Sequence, residues 1–203
     1  MPRASHLTAL ATAIAVLTVT GCSNGPSHAA ATAHAASSTS ASAALSGPPW
    51  QRFTKPCPQL HAAGLDGIST GQQQTKGEQD TTLRFTGACQ YGAANANPSV
   101  QLTSEIARIP AAWPHERQLH EMNRDSEKHS KDAFLDLPQP ADSAFASTYD
   151  GGAVLLDAWS RNAHLMLLIR FADPVTTQAN LESHRADLTS VLTDILGDLQ
   201  PVG

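Results

Sequence analysis

Ala153-Val154-Leu155-Leu156-Asp157-Ala158-Trp159-Ser160-Arg161-Asn162-Ala163-His164-Leu165-Met166-Leu167-Leu168-Ile169-Arg170-Phe171 is the stretch that decides the fold. It reads as two strand-like runs, 153–160 and 163–171, on either side of Arg161-Asn162. Side chains alternate across a strand, so one register fixes both faces of a hairpin. Setting Ser160 opposite Ala163 puts Val154, Leu156, Ala158, Leu165, Leu167, Ile169 and Phe171 on one side, an unbroken apolar surface. Something must cover it. The other side carries Leu155, Asp157, Trp159, His164, Met166, Leu168 and Arg170, with Trp159 directly opposed to His164. That side is too apolar for a solvated face. Either another element covers it, or Trp159, His164, Met166 and Leu168 form a surface where a ligand or partner sits.

The cover for the first face follows in the chain. Asp173-Pro174 offers a helix start, with Asp as N-cap and Pro in the first turn. Leu181, Leu188, Val191, Leu192, Ile195 and Leu199 then recur at helical spacing. Upstream, Thr81 to Tyr91 alternates, with Leu83, Phe85, Gly87 and Cys89 on one side. Asn95-Ala96-Asn97-Pro98 is a turn signal, and Val100 to Ile109 is the next strand of a hairpin. Pro56 to Leu65 predicts a short helix, and Ser69 to Asp80 a surface loop. Trp113 to Lys131 predicts a helix whose apolar stripe, Trp113, Leu119 and Met122, is thin, so it is mostly exposed or shields an edge. Phe134 to Pro140 reads as a connector and Phe145 to Tyr149 as a short strand. The expected fold class is α+β, an antiparallel sheet packed by a C-terminal amphipathic helix.

The N-terminus carries a different signal. Arg3 precedes an apolar run from Leu7 to Val19 that only threonines interrupt. At about 13 residues the run is shorter than the roughly 20 needed to span a bilayer as a helix, which marks a removed signal. It ends in Val19-Thr20-Gly21-Cys22, which resembles a bacterial lipobox. The resemblance implies cleavage before Cys22 and acylation of its thiol. Two or three acyl chains anchor stably where one, at ~0.8 kcal/mol per buried methylene, holds only marginally. The chain has a formal net charge of −5, and loss of Arg3 makes it one unit more negative. Charge therefore does not pull it onto anionic lipid; the acyl chains supply the attachment.

Residues 1–21 are thus the expected lipoprotein signal peptide, 22–49 the lipidated cysteine with its tether, and 50–203 a single globular extracytoplasmic domain. Of residues 23–49, 18 are Ala, Ser or Thr and Leu45 is the one large apolar side chain, too little to offset ordering entropy. A flexible coil of that length reaches roughly 25–30 Å. With Cys22 taken by lipid, Cys57 and Cys89 are left in an oxidising compartment and are expected to form a disulfide. No Cys-x-x-Cys supports a metal site instead.

Motifs for chemistry are sparse. His115-Glu116-Arg117-Gln118-Leu119-His120 nearly spells His-Glu-x-x-His, but the two histidines are five apart, rotated by about 140° on a helix, and diverge. No Gly-x-Ser-x-Gly elbow or phosphate-cradling Gly-x-x-x-x-Gly-Lys occurs. Negative charge and few aromatics argue against nucleic acid. No catalytic residue, metal ligand or cofactor is assigned.

Pro56-Cys57-Pro58-Gln59-Leu60 and Cys89-Gln90-Tyr91, behind a lipobox and an Ala/Ser/Thr tether, make residues 50–200 similar to small actinobacterial lipoproteins built on a domain of unknown function. Members typically carry an aromatic two residues after the second cysteine, usually Trp where this chain has Tyr91. The resemblance implies a paired Cys57–Cys89 and an envelope setting, and lends no catalytic residues. Two functions are expected: a non-catalytic ligand- or partner-binding lipoprotein on the extracytoplasmic face of the cell membrane, or an envelope hydrolase. Convergence of His164, Asp157 and a serine would favour the hydrolase.

Overall fold

The deciding hairpin forms in the expected register. In the computed structural model, which describes residues 47–74 and 79–203, Val154 pairs with Ile169, Leu156 with Leu167 and Trp159 with His164. The signal, Cys22 and nearly all of the tether lie outside the described residues. The strands run β1 (Trp50–Phe53), β2 (Gly71–Gln73), β3 (Gln79–Asp80), β4 (Arg84–Tyr91), β5 (Ser99–Ala107), β6 (Phe134–Asp136), β7 (Ser143–Tyr149), β8 (Ala153–Ser160), β9 (Ala163–Arg170) and β10 (Leu199–Pro201). The helices are α1 (Trp113–Ser130), α2 (Gln178–Ser183) and α3 (Arg185–Gly197). The main sheet has the order β2-β4-β5-β9-β8-β7-β6, antiparallel throughout, with β3 also on β4. β1 and β10 form a separate antiparallel pair that ties the two ends of the folded chain together.

The inner face is the core. Leu102, Val154, Leu156, Leu165, Leu167 and Ile169 are fully or almost fully buried, with Leu181, Leu188, Val191, Leu192 and Ile195 of α2 and α3 in the same apolar cluster. The C-terminal helix therefore packs where the alternation requires, but it begins later than expected. Thr177, not Asp173, is the N-cap, its hydroxyl accepting from the Asn180 amide. The reason is Val175: it is buried, and its amide donates to the Gly152 carbonyl, which holds residues 173–176 extended. Gly152 sits at φ 75°, and a Cβ there would come within 2.5 Å of Pro174, so the β7–β8 turn needs glycine at this contact. The helix also breaks at His184, and Leu199 belongs to β10.

Pro56 to Leu65 is not a helix. Only Ala63–Leu65 makes a single 3-10 turn, and Gln59 bridges to Thr70. Pro58 disfavours helical backbone at Cys57, and the segment is held extended by the Cys57–Cys89 disulfide and by Tyr91, whose hydroxyl donates to the Pro58 carbonyl at 2.7 Å. The segment expected as a loop, 69–80, contributes β2 and β3 at the sheet edge. Leu83, expected on the buried side of β4, precedes that strand and is exposed.

The outer face is covered over only part of its width. α1 lies on β7, β8 and β9, across the face rather than along an edge. On that face Ala88, Gln101, Thr103, Met166 and Leu168 stay partly or well exposed, while Asp157, Trp159 and His164 are buried.

Candidate functional site

Helix α1 is amphipathic in an unusual sense. Glu116, His120, Asn123 and Glu127 recur at spacings of four, three and four, which places them on one helix face. Glu116 and His120 are its two buried residues. The stripe that meets the sheet is thus polar. Glu127 accepts a hydrogen bond from the Ser147 hydroxyl of β7 at 2.5 Å. Arg124, beside the stripe, donates two hydrogen bonds to Asp136 of β6.

His120 lies at the centre. Its Nδ1–H donates to Asp157 Oδ1 at 2.7 Å, and its Nε2 accepts from the Ser143 hydroxyl at 2.9 Å. An ionised carboxylate only accepts, so this contact fixes the His120 tautomer. His164 Nε2–H donates to the same Oδ1 at 2.8 Å, and the Asn123 amide reaches the other oxygen at 3.5 Å. The exposures are 0 % for His120, 1 % for Asp157 and 8 % for His164. The pairing of Trp159 with Ser143 on one side and with His164 on the other sets β7, β8 and β9 so that Ser143, Asp157 and His164 share the outer face.

Burial pushes the Asp157 carboxyl up. The hydrogen bonds from His120 and His164 outweigh that and hold it below the usual carboxylate range. Burial likewise pushes the His164 imidazole down, and Asp157, with the charges of Glu116 and Glu105, holds it above its ordinary value. Both shifts favour the ion pair of Asp157 with a protonated His164, and His120 joins it through the same carboxylate oxygen.

Of the four residues of the expected surface, Trp159 and His164 are buried, whereas Met166 (39 % exposed) and Leu168 remain on the uncovered part. His115 is exposed and takes no part in the cluster, as its divergence from His120 requires. Sequence reasoning missed Ser143, Asn123 and the i, i+4 pair of Glu116 with His120. The last was visible as a spacing; the first two depend on which strand meets which helix. Among the described residues His120, Asp157 and His164 form a group of three potential metal ligands, their ligating atoms within 4.8 Å of one another.

A separate cavity of about 430 Å³ shares no residue with this cluster and is lined by Trp50, Arg52, Asp80, Arg108 and Asn162, among others. Arg108 is consumed there by Asp80 and by the carbonyls of Gln51 and Thr81. It closes the join between β1 and the sheet rather than presenting a free charge. The chain matches no known protein family, no curated protein and no solved structure.

Proposed function

We propose that the chain is a lipoprotein of the cell envelope, anchored on the extracytoplasmic face of the membrane through acyl chains on Cys22, whose folded domain captures an amphipathic ligand without transforming it. The likeness to small actinobacterial lipoproteins supports the same setting. The observation that carries the binding reading is the uncovered part of the outer face. There Met166 and Leu168 lead along β9 to Arg170, whose Nη1 is buried without a hydrogen-bond partner. Ser99, paired with Arg170 across the strands, has a buried hydroxyl in the same condition. A buried donor without a partner costs about 1–3 kcal/mol. A mixed platform, Met166 and Leu168 beside Thr103 and Gln101, that ends at the half-buried Arg170 suits a ligand with an apolar body and an acceptor head.

A second reading, an envelope hydrolase, is favoured by one observation: Ser143, His120 and Asp157 are hydrogen-bonded in the order of a nucleophile, a general base and its orienting carboxylate. His164 weighs against it. It is held in its charged form on the oxygen that must stabilise a His120 imidazolium, and the two rings are 5.9 Å apart. A second cation that close on the same carboxylate is opposed by like-charge repulsion.

Three measurements test the reading. Cys22→Ala must release the protein from the membrane fraction; a variant that still sediments with membranes at its original size sinks the anchor. Mass spectrometry of molecules that co-purify with the detergent-solubilised protein must find an amphipathic ligand lost from Met166→Asp and Arg170→Gln. A fluorophosphonate probe that labels Ser143 would move the assignment to the hydrolase. Trp159→Ala is expected to cost about 3–5 kcal/mol of stability and leave ligand capture unchanged, because the side chain is buried.

A further inference from the structure

We propose that His120, Asp157 and His164 bind one divalent transition-metal ion, Zn2+ before others, and that this ion clamps helix α1 to the sheet. The proposal goes beyond the anchored-binding reading and does not rest on it.

The donors come from separate elements, α1, β8 and β9, and meet at one carboxylate oxygen, 2.7 and 2.8 Å from the two ring nitrogens. Two imidazoles and a carboxylate are a donor set that suits Zn2+ and its neighbours in the first transition row, and no thiolate is needed. Tetrahedral bonds of roughly 2.0–2.2 Å place donors about 3.3–3.6 Å apart. Each ring nitrogen, now 2.7 or 2.8 Å from Asp157 Oδ1, must therefore back away by roughly half an ångström or more, with the two nitrogens already within 4.8 Å of one another. Glu116 is one helical turn before His120 on the same face, 8 % exposed, and its charge already acts on His164.

The outer partners are in place as well. Ser143 stands at the Nε2 of His120 and Asn123 at the second oxygen of Asp157, the contacts that orient ligating rings and carboxylates. On binding, the Nε2 proton that His164 now donates to Asp157 leaves to solvent, whereas His120 keeps its single ring proton. His120 then coordinates through Nδ1, its proton moves to Nε2, and Nε2–H donates to the Ser143 hydroxyl. The buried polar stripe of α1 gains from this, because an ion repays the desolvation of a carboxylate and two imidazoles better than they repay one another.

The test is a Co2+ titration of the purified full-length protein after chelator treatment. One saturable visible absorption band per chain, bleached by Zn2+, is the expected result. Asp157→Asn and His164→Gln must each abolish the band, and His115→Gln, a change at an exposed histidine of the same helix, must keep it. Folded wild-type protein with no saturable band overturns the proposal, as does a band that survives both substitutions. Should either variant fail to fold by circular dichroism, X-ray absorption at the zinc edge of the wild-type protein decides. A shell containing two imidazoles supports the site, and a shell without them overturns it.

Discussion

The two faces of the sheet are covered by helices in opposite ways. On the inner face α2 and α3 meet β8 and its neighbours through Leu181, Leu188, Val191, Leu192 and Ile195, all buried against aliphatic side chains. On the outer face α1 meets β7, β8 and β9 through Glu116, His120, Asn123 and Glu127. The inner contact is non-directional and grows with the apolar area removed from water, about 25 cal/mol per Å². The outer contact depends on hydrogen-bond geometry and on charge, and a buried polar network contributes only when each member is satisfied. The same sheet thus carries one helix pair that meets it through apolar burial and one helix that meets it through titratable side chains.

The largest effect expected is on the inner face. Leu167→Ala removes a fully buried side chain from the core and should cost about 4 kcal/mol by chemical denaturation, by the same amount at pH 5 and pH 8. A cost below about 1 kcal/mol would mean that the apolar face does not hold the fold.

Asp157→Asn, next in size, leaves the His164 charge buried beside a neutral amide and should cost about 3 kcal/mol, with α1 loosened before the sheet in hydrogen exchange. Uniform loss of protection across both faces would break the comparison. Ser147→Ala should cost about 1–2 kcal/mol, since it removes the donor to a glutamate at a partly buried site; no loss would show that the far end of the α1 stripe adds nothing.

The smallest effect is the pH response of chelator-treated protein. His164 is raised in the folded state, so its contribution is present below the ordinary imidazole value and lost as pH rises through the folded value. Asp157 is lowered, so its contribution is present above the ordinary carboxylate value and lost as pH falls through the folded one. Stability from the outer face should therefore be greatest between roughly pH 4 and 6.5. Asp157→Asn should flatten that maximum, and a maximum unchanged by the substitution would assign it to other groups.

Much of the architecture could be read from residue order. The inner face of β8 and β9 alternates without interruption, and only one register leaves Val154, Leu156, Leu165 and Leu167 together, so the hairpin was legible. The Cys57–Cys89 disulfide was legible too, and it closes a separation of 32 residues, worth roughly 3–4 kcal/mol on a loop-entropy account. The helix expected at Pro56 to Leu65 was misread, since the ties that hold it extended, to Cys89 and Tyr91, come from more than 30 residues away. The helix α1 is mostly exposed, as expected, but its docking face was missed for a related reason. Its thin apolar stripe suggested an exposed helix, because periodicity reports apolar burial and is silent on a docking face made of His, Glu and Asn.

Residue order alone therefore determined the alternation of the central hairpin, the hydrophobic period of the C-terminal helix and the cysteine pair, each a pattern between near neighbours in the chain or a matter of composition. The meeting of Ser143, His120, Asp157 and His164 was decided by the tertiary structure. These four come from a helix and three strands, and whether polar side chains satisfy one another once buried is fixed by the packing that brings them within 3 Å, which no local spacing encodes.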